Sequence, residues 1–438
     1  MKLLIVTLSS ICLLACGAKK NVCDGPCPAT NIDHLVVVVQ ENHTFDSYFA
    51  RYCTAPTGSN PTCNDGPSCC ETGPDSCPGA DGGLAPVVLT DETNGNFDRD
   101  HYQACEESEI DDGGMDGFCT SVLDGQPCGD PRNFAYAEGP DVQPYWTLAQ
   151  QNALADRYFQ PVAGESNAND AYLASARYEF KDDDYMPDSD GSICSLDGAV
   201  EKHLTDKNIG DLLVAQGISW AWYAEGYSET VTYQQQNPPA CPPAPSGCSF
   251  GVPTYPCVYD PGDVPLEYYE PYTDNPKYMK DFTSFETDVK AGNLPQVVFV
   301  KPFGFRSEHP GYGDTISAGA SFVSSVAREI ADSSYSDRTL VLVTWDEGGG
   351  FFDHIAPPPT STIDNEPYGT RIPLLAVGHF ARKNFVSHVT MEHSSILKFI
   401  EWNWLGKQTG QLGNRDAEVN NIGSLLDSDQ TGLTVPAQ

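Results

Sequence analysis

The chain has 438 residues and a formal net charge of −37, from 61 Asp and Glu against 24 Lys and Arg. That balance excludes nucleic-acid binding by phosphate neutralisation and broad attachment to an anionic membrane surface. A negative ligand would need a locally positive site inside an acidic shell, and a bound cation is the simplest source of one.

The chain opens "MKLLIVTLSSICLLACGAKK", one Lys and then an apolar stretch too short to span a bilayer. Residues 1–15 are expected to be a signal segment. Leu13, Leu14 and Ala15 before Cys16 resemble the lipobox of bacterial lipoproteins. That resemblance implies a lipid anchor to a membrane at Cys16, with residues 16–30 as a linker. A plain export signal with an incidental cysteine is the alternative. Of the 16 cysteines, setting aside Cys12 and Cys16 leaves an even number, clustered in Gly-, Pro- and Asp-rich sequence. In an exported chain this points to disulfides whose connectivity stays open. The adjacent pair Cys69-Cys70 could instead suggest a metal site, but no CxxC…CxxC zinc pattern is present.

Along the chain, "LVVVV" (35–39) is the first apolar, β-rich run. Residues 50–95 read as a Cys-rich surface insertion. "NIGDLLVAQGISWAWYA" (208–224) reads as a helix and then a strand, and residues 231–262 as a second insertion. "QVVFV" (296–300), "TLVLVTW" (339–345) and "IPLLAV" (372–377) are further buried runs of the kind found in parallel sheets. Helical patterns at 317–334 and 392–404 alternate with them. The expectation is one α/β domain over 31–410 with a polar tail at 411–438.

Ligands gather outside the carboxyl ends of such strands. "LVVVV" runs into Glu41 and Asn42, "TLVLVTW" runs into Asp346 and Glu347, and "QVVFV" leads toward His309. Glu41, Asn42, Asp346 and Glu347 offer only oxygen donors, which suit Ca, Mg or Mn, and Zn also accepts carboxylates. Crowded carboxylates repel unless a cation neutralises them. Singly, each pair also reads as a helix cap or a turn. Asp353-His354 reads either as a pair supporting the metal ligands or as a solvated turn. Ser166 lies between Gly164 and an apparent helix start, where it is either a cap or a nucleophile beside a phosphate-binding N-terminus. Its context, G-E-S-N-A, is not a GxSxG elbow, so activation by a metal fits better.

Seven blocks, in order over roughly residues 30–405, resemble the bacterial phosphoesterase family that contains phospholipases C and related acid phosphatases. They begin with "HLVVVVQENHTFDSYF", "DRDHYQACEESEIDDGGMDGF" and "ALADRYFQPVAGESNANDAYLASA", and continue through "IGDLLVAQGISWAWYAEG" and "LPQVVFVKPFGFRSEHPGYGD". "TLVLVTWDEGGGFFDHIAPP" and "GTRIPLLAVGHFARKNFVSHVTMEHSSILKFIEW" complete the series. The resemblance implies an alkaline-phosphatase-like three-layer α/β sandwich with a central, mostly parallel sheet. It implies one divalent metal ion held by Glu41, Asn42, Asp346, Glu347 and Ser166, with Ser166 also the nucleophile. His101 and His309 would meet the phosphoryl group or the leaving oxygen, and Asn169 would lie near the nucleophile. The implied activity is phosphoester hydrolysis through a phosphoserine, of phospholipase C or acid phosphatase type, with phospholipid among the candidate substrates. Two departures stand out. A His-His pair carried by many members upstream of "LPQVVFV" is missing, and the family's D-E-H-G-G is D-E-G-G-G, with Gly348. They support the alternative of a catalytically degenerate, cation-stabilised surface binding protein.

Overall fold

The computed structural model describes residues 26–195 and 200–438; the expected signal segment and Cys16 lie outside the described residues. The central sheet has eight strands: β1 (His34–Gln40), β2 (Ala153–Ala155), β3 (Trp220–Ala224), β4 (Met279–Asp281), β5 (Val297–Lys301), β6 (Thr339–Trp345), β7 (Leu374–Val377) and β8 (Phe385–Ser387). Their spatial order is β4-β3-β5-β1-β6-β7-β2-β8. Every residue of β1, β3, β5, β6 and β7 is buried, as strands covered on both faces require.

One expectation needs correction. The "IPLLAV" run forms β7, which pairs antiparallel with both β6 and β2; every other neighbouring pair is parallel. A parallel return needs a crossover to the far end of the sheet, usually through a helix. The segment 346–373 between β6 and β7 contains no helix, so the chain re-enters from the end it left.

The helices around the sheet and the site include α1 (Phe45–Phe49), α2 (Gln143–Gln151), α3 (Ser166–Asp170), α4 (Tyr172–Ser175), α5 (Ile209–Gln216), α6 (Thr283–Ala291), α7 (Ile316–Ala331) and α8 (His393–Trp404). Helix α7 touches α2, α6 and β6, while α8 packs on α4, which meets α5. The side chains of Ile316, Phe322, Val323, Val326 and Ile330 form the buried stripe of α7. Each such side chain contributes about 1.5–3 kcal/mol when fully buried.

Both insertions are stapled. Cys53–Cys70, Cys63–Cys69 and Cys77–Cys119 tie down the first, Cys105–Cys128 lies behind it, and Cys194–Cys241 and Cys248–Cys257 tie down the second. Cys69 and Cys70 go to different partners, so the pair binds no metal. Residues 411–438, expected as a polar tail, pack onto the body. Ile422 and Leu425 are fully buried, and the Arg415 guanidinium reaches Asp364 at 2.8 Å and the Pro161 carbonyl at 2.5 Å. Paired charge lets so polar a segment dock.

A buried ion network joins the segment after β1 to the segment after β6. Arg371 donates from Nε to Asp353 at 2.8 Å and from Nη2 to Asp46 at 3.0 Å. His354 Nδ1 lies 2.6 Å from Asp46 Oδ2. Asp353 and Arg371 are fully buried, which excludes the solvated turn read from the sequence. Asp46, Asp353 and His354 are close enough to suggest a cation site, but the Arg371 guanidinium already supplies the positive charge between the carboxylates.

Glu308, in the segment after β5, has φ +80. Its carboxylate accepts from Tyr48 at 2.6 Å, from Trp345 at 3.2 Å and from Tyr145, and α7 passes so close at Gly319 that a Cβ there would meet Glu308 Cγ at 2.2 Å. Burial pushes this carboxyl up to about 8, against the downward pull of those hydroxyls.

Two predictions follow from these networks. Arg371→Met strands two buried carboxylates and should cost about 3–5 kcal/mol of unfolding free energy in urea titration. Glu308 keeps a proton in the folded chain that the unfolded chain has released, in the interval from 4.5 to about 8. Its contribution is therefore intact below that interval and is lost as pH rises through it. Glu308→Gln should flatten the fall in stability between those pH values by up to about 1.4 kcal/mol per pH unit.

Candidate active site

β5, β1 and β6 are neighbours in register, with Val38 opposite Val300 and Gln40 opposite Trp345. Three segments therefore leave the sheet at one edge and carry Lys301, Glu41-Asn42 and Asp346-Glu347 there. The two pairs are bonded together. The Asn42 backbone N–H donates to Asp346 Oδ1 at 3.1 Å, and the Glu347 N–H donates to the same oxygen at 2.7 Å. Asn42 turns the chain with φ +62, a left-handed conformation that Asn tolerates. All four residues are at most 1 % exposed.

Lys301 was not singled out in the sequence. Its ammonium lies 2.7 Å from Glu41 Oε1, 3.6 Å from Asp346 Oδ2, 3.6 Å from Asp263 Oδ2 and 4.0 Å from Asp170 Oδ2. Burial alone would raise Glu41, but Lys301, with His309, holds it down at about 2. Burial pushes Asp170 and Asp263 well up despite Lys301. Burial opposes the charge on Lys301, and the surrounding carboxylates overcome it and hold its pKa well above the ordinary value. The available signals were a charge ending an apolar strand, and Asp170 four residues after Ser166 and so on the same helix face. Asp263, in the second insertion, gave none.

The donor set fits a divalent cation. Asn42 Oδ1, Asp346 Oδ2, Glu347 Oε1 and both carboxylate oxygens of Asp170 are buried oxygens without a hydrogen-bond partner, and Glu41 Oε1 faces only the Lys301 ammonium. Buried polar atoms are normally bonded, so these point to a hard cation as the missing partner.

Glu41, Ser166, His101 and His309 line one cavity, together with Tyr255 and Tyr312. Ser166 is the first residue of α3, and Glu165 occupies the cap position, so the serine does not cap the helix. Gly164 enters this turn with φ +135, and a Cβ there would meet Asp182 Oδ1 at 2.7 Å. The Asn167 backbone N–H, expected to be available to a phosphate, is taken by Asp183 at 2.8 Å. Asn169 lies outside the cavity lining. Its amide bonds the Gly164 and Glu165 carbonyls at 2.8 and 3.1 Å, and its carbonyl accepts from Val162 N–H at 3.1 Å. It therefore staples the turn that presents Ser166.

His101 donates from Nδ1 to the Arg99 carbonyl at 2.5 Å. Its Nε2 lies 3.4 Å from the Asn42 amide and 3.8 Å from Glu347 Oε1. Burial would lower its pKa, but Glu347, Asp98 and Glu165 raise it well above the ordinary imidazole value. His309 donates from Nδ1 to the Pro310 carbonyl at 2.8 Å, and its ring centroid lies 6.2 Å from that of His101. Asp353 and His354 stand away from this cavity, in the Arg371 network. Gly348 admits no side chain, since a Cβ would meet Thr370 Oγ1 at 2.2 Å and Gln160 Oε1 at 2.9 Å. Gln160 fills the space and accepts the Gly348 N–H at 2.8 Å.

The phosphoesterase family profile matches residues 32–405. Phospholipase C B of Mycobacterium tuberculosis is 25% identical over 91% of this chain and 79% of its own. Non-hemolytic phospholipase C of Pseudomonas aeruginosa is 23% identical, covering 85% and 54%. Non-specific phospholipase C1 of Arabidopsis thaliana is 24% identical, covering 64% and 50%. Among solved structures, a protein of the alkaline phosphatase superfamily from Vibrio parahaemolyticus covers 90% of this chain and 71% of its own at 11% identity, with a TM-score of 0.36. With seven motif blocks and a profile spanning most of its length, the chain belongs to the phosphoesterase family and is a phosphoric ester hydrolase.

Proposed function

We propose that the protein hydrolyses phosphoesters in two steps, through a phosphoserine at Ser166, in a divalent-metal-dependent reaction of phospholipase C or acid phosphatase type. The observation that carries this reading is one cavity shared by Ser166, His101, His309 and Glu41, beside unpaired buried oxygens of Asn42, Asp346 and Glu347. A divalent cation held by Glu41, Asn42, Asp346, Glu347 and Ser166 would neutralise phosphoryl charge and lower the pKa of the serine hydroxyl. Ser166 Oγ, its proton released to solvent as the hydroxyl ionises, attacks phosphorus, and the bond to the leaving oxygen breaks as the new P–O bond forms. His101 holds a proton at Nε2 and donates it to the leaving oxygen, while His309 faces it across the cavity. Water then cleaves the phosphoserine, with His101 now taking a proton. Lys301 stays beneath the carboxylates and keeps Glu41 ionised.

The named relatives favour the phospholipase C type. The disulfides among the described residues support an exported chain, and a lipid anchor at Cys16 would hold the enzyme near phospholipid at the cell envelope. No helix among the described residues is long and apolar enough to cross a membrane. The Gly348 departure, which with the missing His-His pair supports a degenerate binding protein, is filled by Gln160 and leaves Asp346 and Glu347 in place.

Turnover of p-nitrophenyl phosphorylcholine marks the phospholipase C type, turnover of p-nitrophenyl phosphate alone marks a phosphatase, and turnover of neither by metal-loaded protein favours the binding protein. Ser166→Ala should lower kcat by about 10⁴-fold or more; near-normal turnover would remove the serine from the mechanism. Chelation should abolish activity, with recovery on adding a divalent cation. Lys301→Met should cost the metal-free protein about 3–5 kcal/mol in urea titration, partly recovered with Mn²⁺ present.

A further inference from the structure

The second insertion was read from the sequence as a surface feature, yet it enters the site. Tyr255 is only 9 % exposed, and its hydroxyl donates to Glu41 Oε2 at 2.7 Å. That oxygen also accepts from Ser307 Oγ, while Oε1 faces Lys301. Both oxygens of Glu41 are thus aimed by fixed neighbours. The Tyr255 ring stands edge-on to His309 at 5.6 Å and to Tyr312 at 5.4 Å, inside the cavity wall.

The loop that carries Tyr255 is closed by Cys248–Cys257, and the start of the insertion is held by Cys194–Cys241. The Tyr255 N–H donates to the Cys194 carbonyl at 3.3 Å, and the Pro256 carbonyl accepts from Phe305 N–H at 3.1 Å. Its seat is shaped by an absence. A Cβ at Gly304 would meet Pro256 Cβ at 2.6 Å and Tyr255 Cε2 at 2.7 Å. The segment after β5, which supplies Ser307 and His309, is therefore cut to accept this loop.

We propose that Tyr255 is a positioning residue for Glu41, so that a disulfide-closed loop of the insertion sets how tightly the site holds its divalent cation. The inference rests on the metal-centre reading above and adds a residue to it. A partner that orients a metal ligand is worth about 10–100-fold in metal affinity.

The test titrates Mn²⁺ into metal-stripped full-length protein by calorimetry and follows its melting temperature. Tyr255→Phe keeps the ring and removes only the hydroxyl. Its Mn²⁺ affinity should fall about 10–100-fold, with the metal-free protein still folded and melting cooperatively, and turnover recovering at high Mn²⁺. Cys248→Ser/Cys257→Ser and Gly304→Ala should weaken Mn²⁺ in the same direction. Mn²⁺ affinity of Tyr255→Phe within twofold of the parent overturns the inference alone. Loss of turnover that high Mn²⁺ does not restore also overturns it. A parent that binds no divalent cation, or a Glu41→Gln variant that binds Mn²⁺ as the parent does, overturns the metal-centre reading and this inference with it.

Discussion

The ammonium of Lys301 is what allows this site to exist before any cation arrives. Glu41, Asp170, Asp263, Asp346 and Glu347 are each at most 8 % exposed. Stripping water from an ionised carboxylate costs several kcal/mol unless an opposite charge or hydrogen bonds compensate. One ammonium cannot neutralise five carboxylates. It secures Glu41 outright, and the remaining acids are pushed upward by burial, toward keeping protons. A divalent cation bound there would compete with those protons for the same oxygens, which would make metal binding and proton release one equilibrium.

The fold brings these charges together by strand order. β1 lies between β5 and β6, so the first motif block leaves the sheet beside the fifth and the sixth. The antiparallel return through β7 keeps residues 346–373 on the ligand side of the sheet. Arg371, just before β7, then joins Asp46, in the chain that follows Asn42, to Asp353, in the chain that follows Glu347. One guanidinium thus ties together the segments that carry the two oxygen pairs, which are also joined by the hydrogen bonds to Asp346 Oδ1.

The sheet was legible because buried strands leave continuous apolar runs, and their polar termini mark the ligand edge. That was enough to nominate Glu41, Asn42, Asp346 and Glu347, whereas Ser166 was nominated by its place between Gly164 and a helix start. Lys301 was legible only in part, because a charge at the end of "VVFVK" reads equally well as a strand leaving the core. The direction of β7 depends on the path of a loop, which composition does not record. Asn169 was placed near the nucleophile, but its role as a staple for the 162–165 turn depends on side-chain orientation. The positive φ at Glu308 is tertiary as well. Three neighbouring donors and the backbone of α7 hold a conformation that a free chain avoids.

Tyr255 was hidden for a different reason. Pro, Gln and Cys mark the insertion as irregular and stapled, and irregular segments usually lie on the surface. The stretch "EYYEPYTDNPKYM", where the family resemblance leads one to look for a His-His pair, instead packs as aromatic core: Tyr268, Tyr269, Tyr272 and Tyr278 are all buried. None of those rings lines the cavity, whose wall carries Tyr255, Asp260 and Asp263. That makes this part of the wall aromatic and acidic. In the proposed reaction the positive charge that the phosphoryl group requires would come from His101, His309 and the cation site, so its electrostatics would rest on the few groups gathered around this cavity.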